Sequence, residues 1–306
     1  VDLLYETKMN KIPLVFIHFN RPSNTAEPFR DGIFKATSRQ ALREGNKVHL
    51  ISNEDFEMDD PNFFYSHLKE FWCKRINDFQ DIYENLSTND PSIELICFLR
   101  WFILLNFMEK NDIPIVFHSD TDVMIYTDVT EEYNRKYSQF EMTLIHRTCG
   151  SSSFVTLEAL KKFCDYLFNI YENKDSYEFS KMKSVYLTRL KHRLDGGVCD
   201  MTLLESFHYN ADDGGGPCRI GEMMHVNGGS AYDHNFNVDD GVYNHTGEHK
   251  DIKFYEGKPY CYHQVLEGLV LFNGLHLQGP AKKFLNKLIQ QQKDSHEEKL
   301  PKNSLA

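Results

Sequence analysis

The residues with the clearest chemical potential are Asp120 and Asp122, which form the only D-x-D pair in the chain. They follow the apolar run Ile113–Phe117 and precede a second apolar run, Val123–Tyr126, so a tight connection between two strands is predicted. Residues two apart in an extended chain point to the same side. Two carboxylates placed in this way suit a hard divalent cation, with phosphate oxygens completing its coordination. The alternative interpretation is an ordinary polar turn, where aspartate is common.

A second group of polar residues lies near the C-terminal end, in the segment His276–Lys282 (HLQGPAK). A neutral imidazole is a good ligand for ions such as Mn²⁺, and His276 can complete a site that two carboxylates begin. Gly279 lets the backbone approach a phosphate closely. Lys282 falls in the first turn of a predicted helix, where its ammonium and the free N–H groups can both meet an anion. A hydrogen-bonded structural histidine and a solvated lysine are the alternatives.

Together these two motifs resemble a known enzyme family. Asp120-Thr121-Asp122-Val123 after a strand, followed by H-x-x-G-x-x-K near the C-terminus, is similar to the retaining glycosyltransferases of family eight, the glycogenin and lipopolysaccharide galactosyltransferase type. The resemblance extends to Phe98-Leu99-Arg100-Trp101, which is similar to the family's aromatic-x-Arg-Leu segment. It implies a GT-A fold and transfer of a sugar from a nucleotide-sugar, with retention. A UDP-sugar is the favoured donor, a GDP-sugar remains open, and Mn²⁺ or Mg²⁺ is the implied cofactor.

The resemblance also implies roles for individual residues. The implied metal ligands are Asp120, Asp122 and His276, and the implied donor contacts are Arg100, Asp120, Thr121, Gly279 and Lys282. Arg100 lies within an apolar helix, and burying an unpaired guanidinium is costly, which favours a functional role. The alternative for Arg100 is an ion pair with a nearby carboxylate such as Glu94.

Three further positions complete the predicted site. Asp200 follows a Gly-Gly turn and begins an apolar predicted helix, where the helix dipole alone favours a carboxylate. It could accept a proton from the acceptor hydroxyl in an inverting reaction, or orient the acceptor in a retaining one. Asn20-Arg21 and Asn53 follow the first two predicted strands, where GT-A folds hold the base and ribose; ordinary loop polarity is the alternative.

The elements that would position these residues alternate between strands and helices. Pro13–Phe19 and Lys47–Ser52 are short, apolar runs of the buried-strand type, and Pro91–Lys110 is predicted to be a long helix buried against a sheet. This alternation predicts βαβ units, with ligands bound beyond the carboxyl ends of the strands. We therefore expect an α/β protein of the GT-A (Rossmann-like) class, with a mixed, mostly parallel sheet flanked by helices.

A single domain is predicted over residues 9–292. Residues 9–128 form the nucleotide-binding half, and residues 129–292 form a more irregular acceptor half. The latter includes predicted helices at Thr156–Asn173 and Val198–Tyr209, a final strand at Leu269–Leu277 and a helix from Pro280 to about residue 292. Residues 1–8 are expected to be a linker or an expression remnant, and residues 293–306 a disordered tail.

Composition limits the partners. A net charge of -11 argues against a general nucleic-acid binder, and no apolar stretch is long enough to predict a membrane span. Seven scattered cysteines without a CxxC pair favour reduced thiols and a cytoplasmic location. The lumen of the secretory pathway is the alternative if the natural chain carries an anchor. The expected partners are a nucleotide-sugar and a glycan or other hydroxyl acceptor. A non-catalytic carbohydrate-binding module on the same fold remains a second hypothesis.

Overall fold

The computed structural model of the chain describes residues 11–19, 30–212, 218–301 and 304–305, with backbone alone for 30–31 and 210–212. The described strands are β1 Pro13–His18, β2 Lys47–Ser52, β3 Phe63–His67, β4 Ile115–Ser119, β5 Val123–Ile125, β6 Met142–Leu144, β7 Ser152–Thr156, β8 Ile220–Glu222, β9 Ser230–Tyr232, β10 His245–Thr246, β11 His249–Lys250, β12 Lys253–Tyr255, β13 Lys258–His263 and β14 Gly268–His276. The described α-helices are α1 Arg30–Arg43, α2 Lys74–Ile82, α3 Pro91–Lys110, α4 Val129–Glu132, α5 Leu157–Glu172, α6 Tyr177–Lys191, α7 Asp200–Asp212 and α8 Leu285–Asp294. Short 3₁₀ turns lie at Leu68–Phe71 and Gly279–Phe284, and a π-helical turn lies at Tyr133–Tyr137.

The main sheet has seven strands in the order β3-β2-β1-β4-β7-β6-β8. Strand β1 runs parallel to both β2 and β4, and β2 runs parallel to β3. Strand β7 is antiparallel to β4 and β6, and β8 is parallel to β6. The chain proceeds from β1 to β2 on one side and later returns to β4 on the other. The order therefore reverses at β1, and such a point opens a crevice at the carboxyl ends of the strands. The predicted mixed, mostly parallel α/β sheet is confirmed.

A second sheet carries the C-terminal strand back to the first half of the chain. Its strands lie in the order β12-β13-β14-β5, and β9 pairs with β14. Strand β14 is antiparallel to β5, and the register places His276 opposite Val123. This pairing joins residues that are far apart in the chain, such as His276 and Val123, and it sets the end of β14 beside the connection between β4 and β5.

The two faces of the main sheet bury different helices, because alternate residues of a strand point to opposite faces. Val15 of β1 packs in the core that contains α2, α3 and α5. Its neighbours Leu14 and Phe16 pack on the other face, together with Phe34 of α1 and Val123 of β5. A third core joins the second sheet to α8. Helices therefore flank the sheet on both sides, as predicted.

Helix α3 has the predicted bounds, Pro91–Lys110, and lies in the core against the sheet. Asp90 caps its first turn by accepting the N–H of Ser92, and Pro91 stands at a position where no N–H is needed. Among the described residues, α3 is the one helix that could cross a membrane by length and composition, but 56% of its most apolar stretch is buried inside the protein. Its apolar surface is that of a central core helix.

Several predicted bounds differ from the observed ones. The strand predicted at Ile113–Phe117 runs from Ile115 to Ser119, because Pro114 has no N–H to contribute to a ladder. The helix predicted from Pro280 is a 3₁₀ turn followed by α8. Between Pro61 and Phe79, the aromatic residues are spaced nearly as in a helix. This segment nevertheless contains strand β3, because pairing with β2 outweighs the local pattern.

The C-terminal segment contacts the second sheet. Helix α8 ends at Asp294, and Leu305 forms a β-bridge with Leu269. The division of the domain into two halves and the disorder of residues 293–306 stay predictions. All seven cysteines are free.

Candidate active site

The connection between β4 and β5 is held by backbone hydrogen bonds on both sides. The Asp120 N–H donates to the Ser151 carbonyl at 2.8 Å, and the Val123 N–H donates back to the Asp120 carbonyl at 3.1 Å. The Asp122 carbonyl accepts the N–H of Leu277 at 2.9 Å. The two aspartates therefore stand on a turn that β7 and the end of β14 fix from opposite sides.

Asp120, Asp122 and His276 meet at this turn, with one potential ligand atom from each lying within 4.8 Å of the others. His276 Nε2 lies 3.4 Å from Asp122 Oδ1, and Lys282 Nζ lies 3.3 Å from Asp122 Oδ2. The structure thus brings the D-x-D pair together with both ends of the H-x-x-G-x-x-K motif.

The donor set fits a small divalent cation. Ligands of an octahedral ion with bonds of about 2.1 Å are about 3 Å apart when adjacent and about 4 Å apart when opposite. The 3.4 Å between His276 Nε2 and Asp122 Oδ1 falls in this range. The Nδ1 of His276 lies 2.7 Å from the His234 carbonyl, so Nδ1 carries a proton and Nε2 is the nitrogen that faces the carboxylates. A partner that fixes the tautomer in this way is typical of a metal-ligating histidine.

Without a cation, His276 and Asp122 stabilise each other's charges. Burial opposes the charge on His276, but the hydrogen bond to Asp122 and the charge of that carboxylate raise its pKa to about 9. Burial also opposes ionisation of Asp122, yet His276 and Lys282 hold its pKa below the usual range. The charged form of His276 is therefore favoured beside Asp122, and a cation that binds through Nε2 would displace its proton.

Arg100 joins the two sides of the site. Its Nη1 lies 2.5 Å from Asp120 Oδ1, and its Nη2 lies 2.6 Å from Asp200 Oδ2. Asp200 Oδ2 also accepts the indole N–H of Trp101 at 3.0 Å. Burial disfavours the charge on Arg100, but Asp120 and Asp200 raise its pKa well above the usual value. The partly buried guanidinium is therefore paired, with one carboxylate on each side.

The alternative partner suggested for Arg100, Glu94, is wrong. The Glu94 carboxylate accepts hydrogen bonds from the Ser87 hydroxyl at 3.0 Å and the Asn89 amide at 2.6 Å. Glu94 lies six residues before Arg100, nearly two helical turns away. Its hydrogen bonds stabilise the loop that precedes α3.

Asp200 is positioned by a segment that needs glycine. Gly197 forms a bridge with Ser87, and a Cβ at this glycine would lie 2.4 Å from the Leu86 carbonyl oxygen. The Val198 N–H donates to that same carbonyl at 2.9 Å. Helix α7 then begins at Asp200 rather than at the predicted Val198. The close approach of residues 197–198 to Leu86 fixes the start of α7, where Asp200 contacts Arg100.

Of the donor contacts predicted after the first two strands, the structure describes Asn53 alone. Asn20 and Arg21 lie outside the described residues. Asn53 is exposed after β2, beside a cleft of about 340 Å³ at the carboxyl ends of β1 and β2. The residues lining this cleft include His18, Phe34, Leu50, Ser52, Glu54 and Phe56. The donor-binding roles of Asn20, Arg21 and Asn53 stay predictions.

Thr121 and Gly279 have structural explanations of their own. The Thr121 carbonyl accepts the Thr37 hydroxyl at 2.9 Å, which ties the turn to α1. Gly279 has a φ of 54°, a conformation that L side chains rarely adopt, and the space around its Cα is open. It begins the 3₁₀ turn that carries Lys282, whose side chain is 35% exposed.

Sequence reasoning missed the group that holds His276. The His276 N–H donates to Asp233 Oδ2 at 3.2 Å. Lys250 Nζ lies 3.2 Å from Asp233 Oδ1 and 3.4 Å from Asp240 Oδ2, and it donates to the carbonyls of Asn235 and Val238. Lys250 is buried, and its ammonium group binds four residues of the loop 233–240. No local pattern could reveal it, because its partners come together only in the folded chain.

His118 was missed as well, although a signal for it was present. It stands two residues before Asp120, and alternation along β4 places both on one side. Its Nε2 lies 4.0 Å from Asp120 Oδ1, and its ring packs on Trp101 with centroids 5.3 Å apart. Burial and the charge of Arg100 lower its pKa to about 4, so it is a neutral neighbour of the site.

The chain was also compared with known proteins. No protein-family model and no curated protein sequence matches it. Solved structures do match. LgtC, a galactosyltransferase solved with donor and acceptor sugar analogues, is 11% identical with a TM-score of 0.45, over 95% of this chain and 98% of LgtC. Mouse xyloside xylosyltransferase 1 is 10% identical with a TM-score of 0.40, over 69% and 84%. GlyE of Streptococcus pneumoniae is 10% identical with a TM-score of 0.37, over 70% and 45%.

The structures that this chain resembles are glycosyltransferases. At these identities, the similarity concerns the fold alone.

We predict that Lys250→Met changes the site, whereas the matched variant Lys136→Met does not. Lys250→Met leaves the buried Asp233 carboxylate without a cationic partner, whereas Glu132 keeps its ion pair with Arg135 after Lys136→Met. The first substitution should therefore cost about 3–5 kcal/mol of unfolding free energy, and the second should cost less. Only Lys250→Met should shift the imidazole pKa of His276, measured by NMR in the presence of EDTA. Lys250→Arg should restore that pKa, and an equal shift in both methionine variants would contradict the prediction.

The His276–Asp122 pair should also make stability depend on pH. The folded pKa of His276, about 9, lies above the 6.5 of a solvated imidazole, so the folded state binds this proton more tightly. The contribution is full below pH 6.5 and is lost as the pH rises through 9. Urea unfolding of the metal-free wild type and His276→Gln at about pH 6 and about pH 10 measures it. The difference in unfolding free energy should shrink at the higher pH; a constant difference would refute this account.

Proposed function

We propose that the chain is a metal-dependent glycosyltransferase, which moves a sugar from a nucleotide-sugar to an acceptor hydroxyl. The observation that carries the proposal is the meeting of Asp120, Asp122, His276 and Lys282 in one place. These four residues lie at the carboxyl edge of a mostly parallel sheet, beside the strand where the order reverses. That edge is where open α/β sheets bind their ligands.

The donor diphosphate would bind at this cluster. Asp120, Asp122 and His276 would hold a divalent cation, Mn²⁺ or Mg²⁺, which as a Lewis acid offsets the charge that develops on a departing diphosphate. Lys282 is partly exposed and, among the described residues, pairs with a single carboxylate, so its ammonium can turn towards a phosphate oxygen. The open left-handed turn at Gly279 leaves room for phosphate beside the backbone. UDP-sugars are the favoured donors, and GDP-sugars remain open.

Asp200 stands on the acceptor side of the site. Within the described part of the chain, both hydrogen bonds to its carboxylate reach Oδ2, from Arg100 and Trp101. These bonds fix the orientation of the carboxylate, and a sugar or acceptor hydroxyl would reach Oδ1 through the 3% of the side chain that is exposed. An ion-paired carboxylate is better suited to orienting a substrate than to removing a proton. We therefore favour a retaining reaction in which Asp200 positions the acceptor, over an inverting reaction in which it is the base.

Asp122→Ala is expected to lower sugar transfer by on the order of 100-fold or more, as does the loss of a key electrostatic group in other active sites. The assay measures release of the nucleoside diphosphate from UDP-sugars and GDP-sugars, with and without Mn²⁺, with water as acceptor. Asp78→Ala is a matched control, because Asp78 is also paired with a lysine but lies on the exposed surface of α2. Thermal shift identifies the donor, since binding to the folded state raises the midpoint.

Each outcome of that assay decides between the hypotheses. Full activity in Asp122→Ala would reject the proposed metal site. Donor-dependent stabilisation of the wild type without any turnover would favour the non-catalytic module instead.

Asp200→Asn separates the two reaction types. The amide keeps an acceptor oxygen for Arg100 and Trp101 but removes the charge. If Asp200 orients the acceptor, turnover should fall by about tenfold, whereas loss of a general base typically costs about 100-fold to 10,000-fold. Early-time ¹H NMR of the released sugar should show the anomer of the donor. An inverted anomer, together with the larger loss, would establish the inverting alternative.

A further inference from the structure

Helix α6 and the turn after it expose an apolar stripe. Leu187, Leu190 and Leu194 are 52%, 51% and 50% exposed. Positions i, i+3 and i+7 lie on one face of a helix. Leu194 follows the end of α6, but its N–H donates to the Arg189 carbonyl at 3.0 Å, which keeps it folded back against the last turn. Leu187 and Leu190 therefore share one face of α6, and Leu194 is held against the last turn of the same helix.

The same helix already buries another face. Phe179 and Met182 of α6 are buried against the core that contains α5. Packing within the domain thus accounts for one apolar side of α6 and leaves the leucine stripe unexplained. Exposed leucines are common singly, but a contiguous row of them marks an interaction surface.

The charge around this stripe differs from that of the whole chain. Residues 179–194 carry five lysines and arginines and no aspartate or glutamate, in a chain with a net charge of -11. Lys183 pairs with Glu84, and Arg189 donates to the carbonyl of Asp195. Within the described residues, Lys181, Lys191 and Arg193 have no carboxylate partner. The leucines are therefore bordered by unneutralised positive charge.

We propose that this α6 surface, formed by Leu187, Leu190 and Leu194 with Lys181, Lys191 and Arg193, docks on an anionic lipid membrane. Half-exposed leucines can enter the boundary between headgroups and acyl chains, while the basic side chains reach the phosphates beside them. Protein-binding surfaces draw most of their affinity from Trp, Tyr and Arg seated in pockets, and leucine is under-represented among such residues. A row of three leucines flanked by lysine and arginine fits a lipid surface better.

Docking at α6 has a consequence for the site. The segment 192–199 leads from α6 directly to Asp200, and the Thr88 N–H holds it through the Gly196 carbonyl at 3.1 Å. Membrane binding does not rest on the proposed function. If the chain transfers sugars, however, the short segment 192–199 connects the docked helix to Asp200, which favours an acceptor presented at the lipid surface.

Flotation with vesicles tests the proposal on the full chain. The wild type should bind phosphatidylcholine vesicles that contain phosphatidylglycerol, bind less at high salt, and not bind phosphatidylcholine alone. The variant L187S/L190S/L194S and the variant K181E/K191E/R193E should each bind about tenfold more weakly or worse. Val265 and Leu266 form another exposed apolar pair, in the turn before β14, so V265S/L266S is the matched control and should bind like the wild type.

The outcomes are distinguishable, with circular dichroism confirming that each variant is folded. Absence of binding to anionic vesicles, or equal binding by the triple leucine variant, would overturn the proposal. Self-association of the wild type that the leucine variant abolishes, without vesicle binding, would assign the surface to a second copy of the chain. Donor-dependent activity in solution is a separate measurement, so failure here leaves the proposed function standing.

Discussion

The antiparallel pairing of β14 with β5 is the constraint on which the site depends. It sets His276 opposite Val123 and lets the Leu277 N–H bond to the carbonyl of Asp122. Without it, the imidazole and the two carboxylates would belong to distant parts of the chain. The ladder joins residues from the first half of the domain to its last strand, so the site forms only when the whole domain has folded. The geometry of the candidate site and the stability of the whole domain therefore both depend on the pairing of β14 with β5.

Near this strand pairing, two basic side chains each form ion pairs with two aspartates. Arg100 lies between Asp120 and Asp200, and Lys250 lies between Asp233 and Asp240. Lys250 is buried and Arg100 is partly buried, and each has a carboxylate on either side, because an unpaired charge removed from water is costly. Both groups stand next to the proposed metal ligands. The rigidity of the site therefore comes from ion pairs whose partners lie far apart in sequence.

The fold class and the position of the D-x-D pair at the end of a strand could be predicted because their signals are local. Apolar runs of strand length and the all-round apolar helix α3 identify the layers, and the D-x-D pair stands where a strand ends. What could not be predicted are contacts made by tertiary pairing: strand β3, whose aromatic spacing resembles that of a helix, and Lys250, which has no neighbour in sequence to suggest its partners. Arg100 shows both cases, since its unusual position was visible but its partner Asp200, rather than Glu94, was not.

The shared guanidinium of Arg100 makes the two aspartates it contacts energetically inseparable. Removing Asp120 takes away a candidate cation ligand and also leaves Arg100 with Asp200 alone, so the acceptor side changes with it. Effects of substitutions at Asp120 and Asp200 should therefore not add, as is general for groups that share one partner. Asp122 is paired with His276 and Lys282 instead, outside this link. A double-mutant cycle on Asp120 and Asp200, which share Arg100, would measure the coupling free energy between the candidate cation site and the proposed acceptor side.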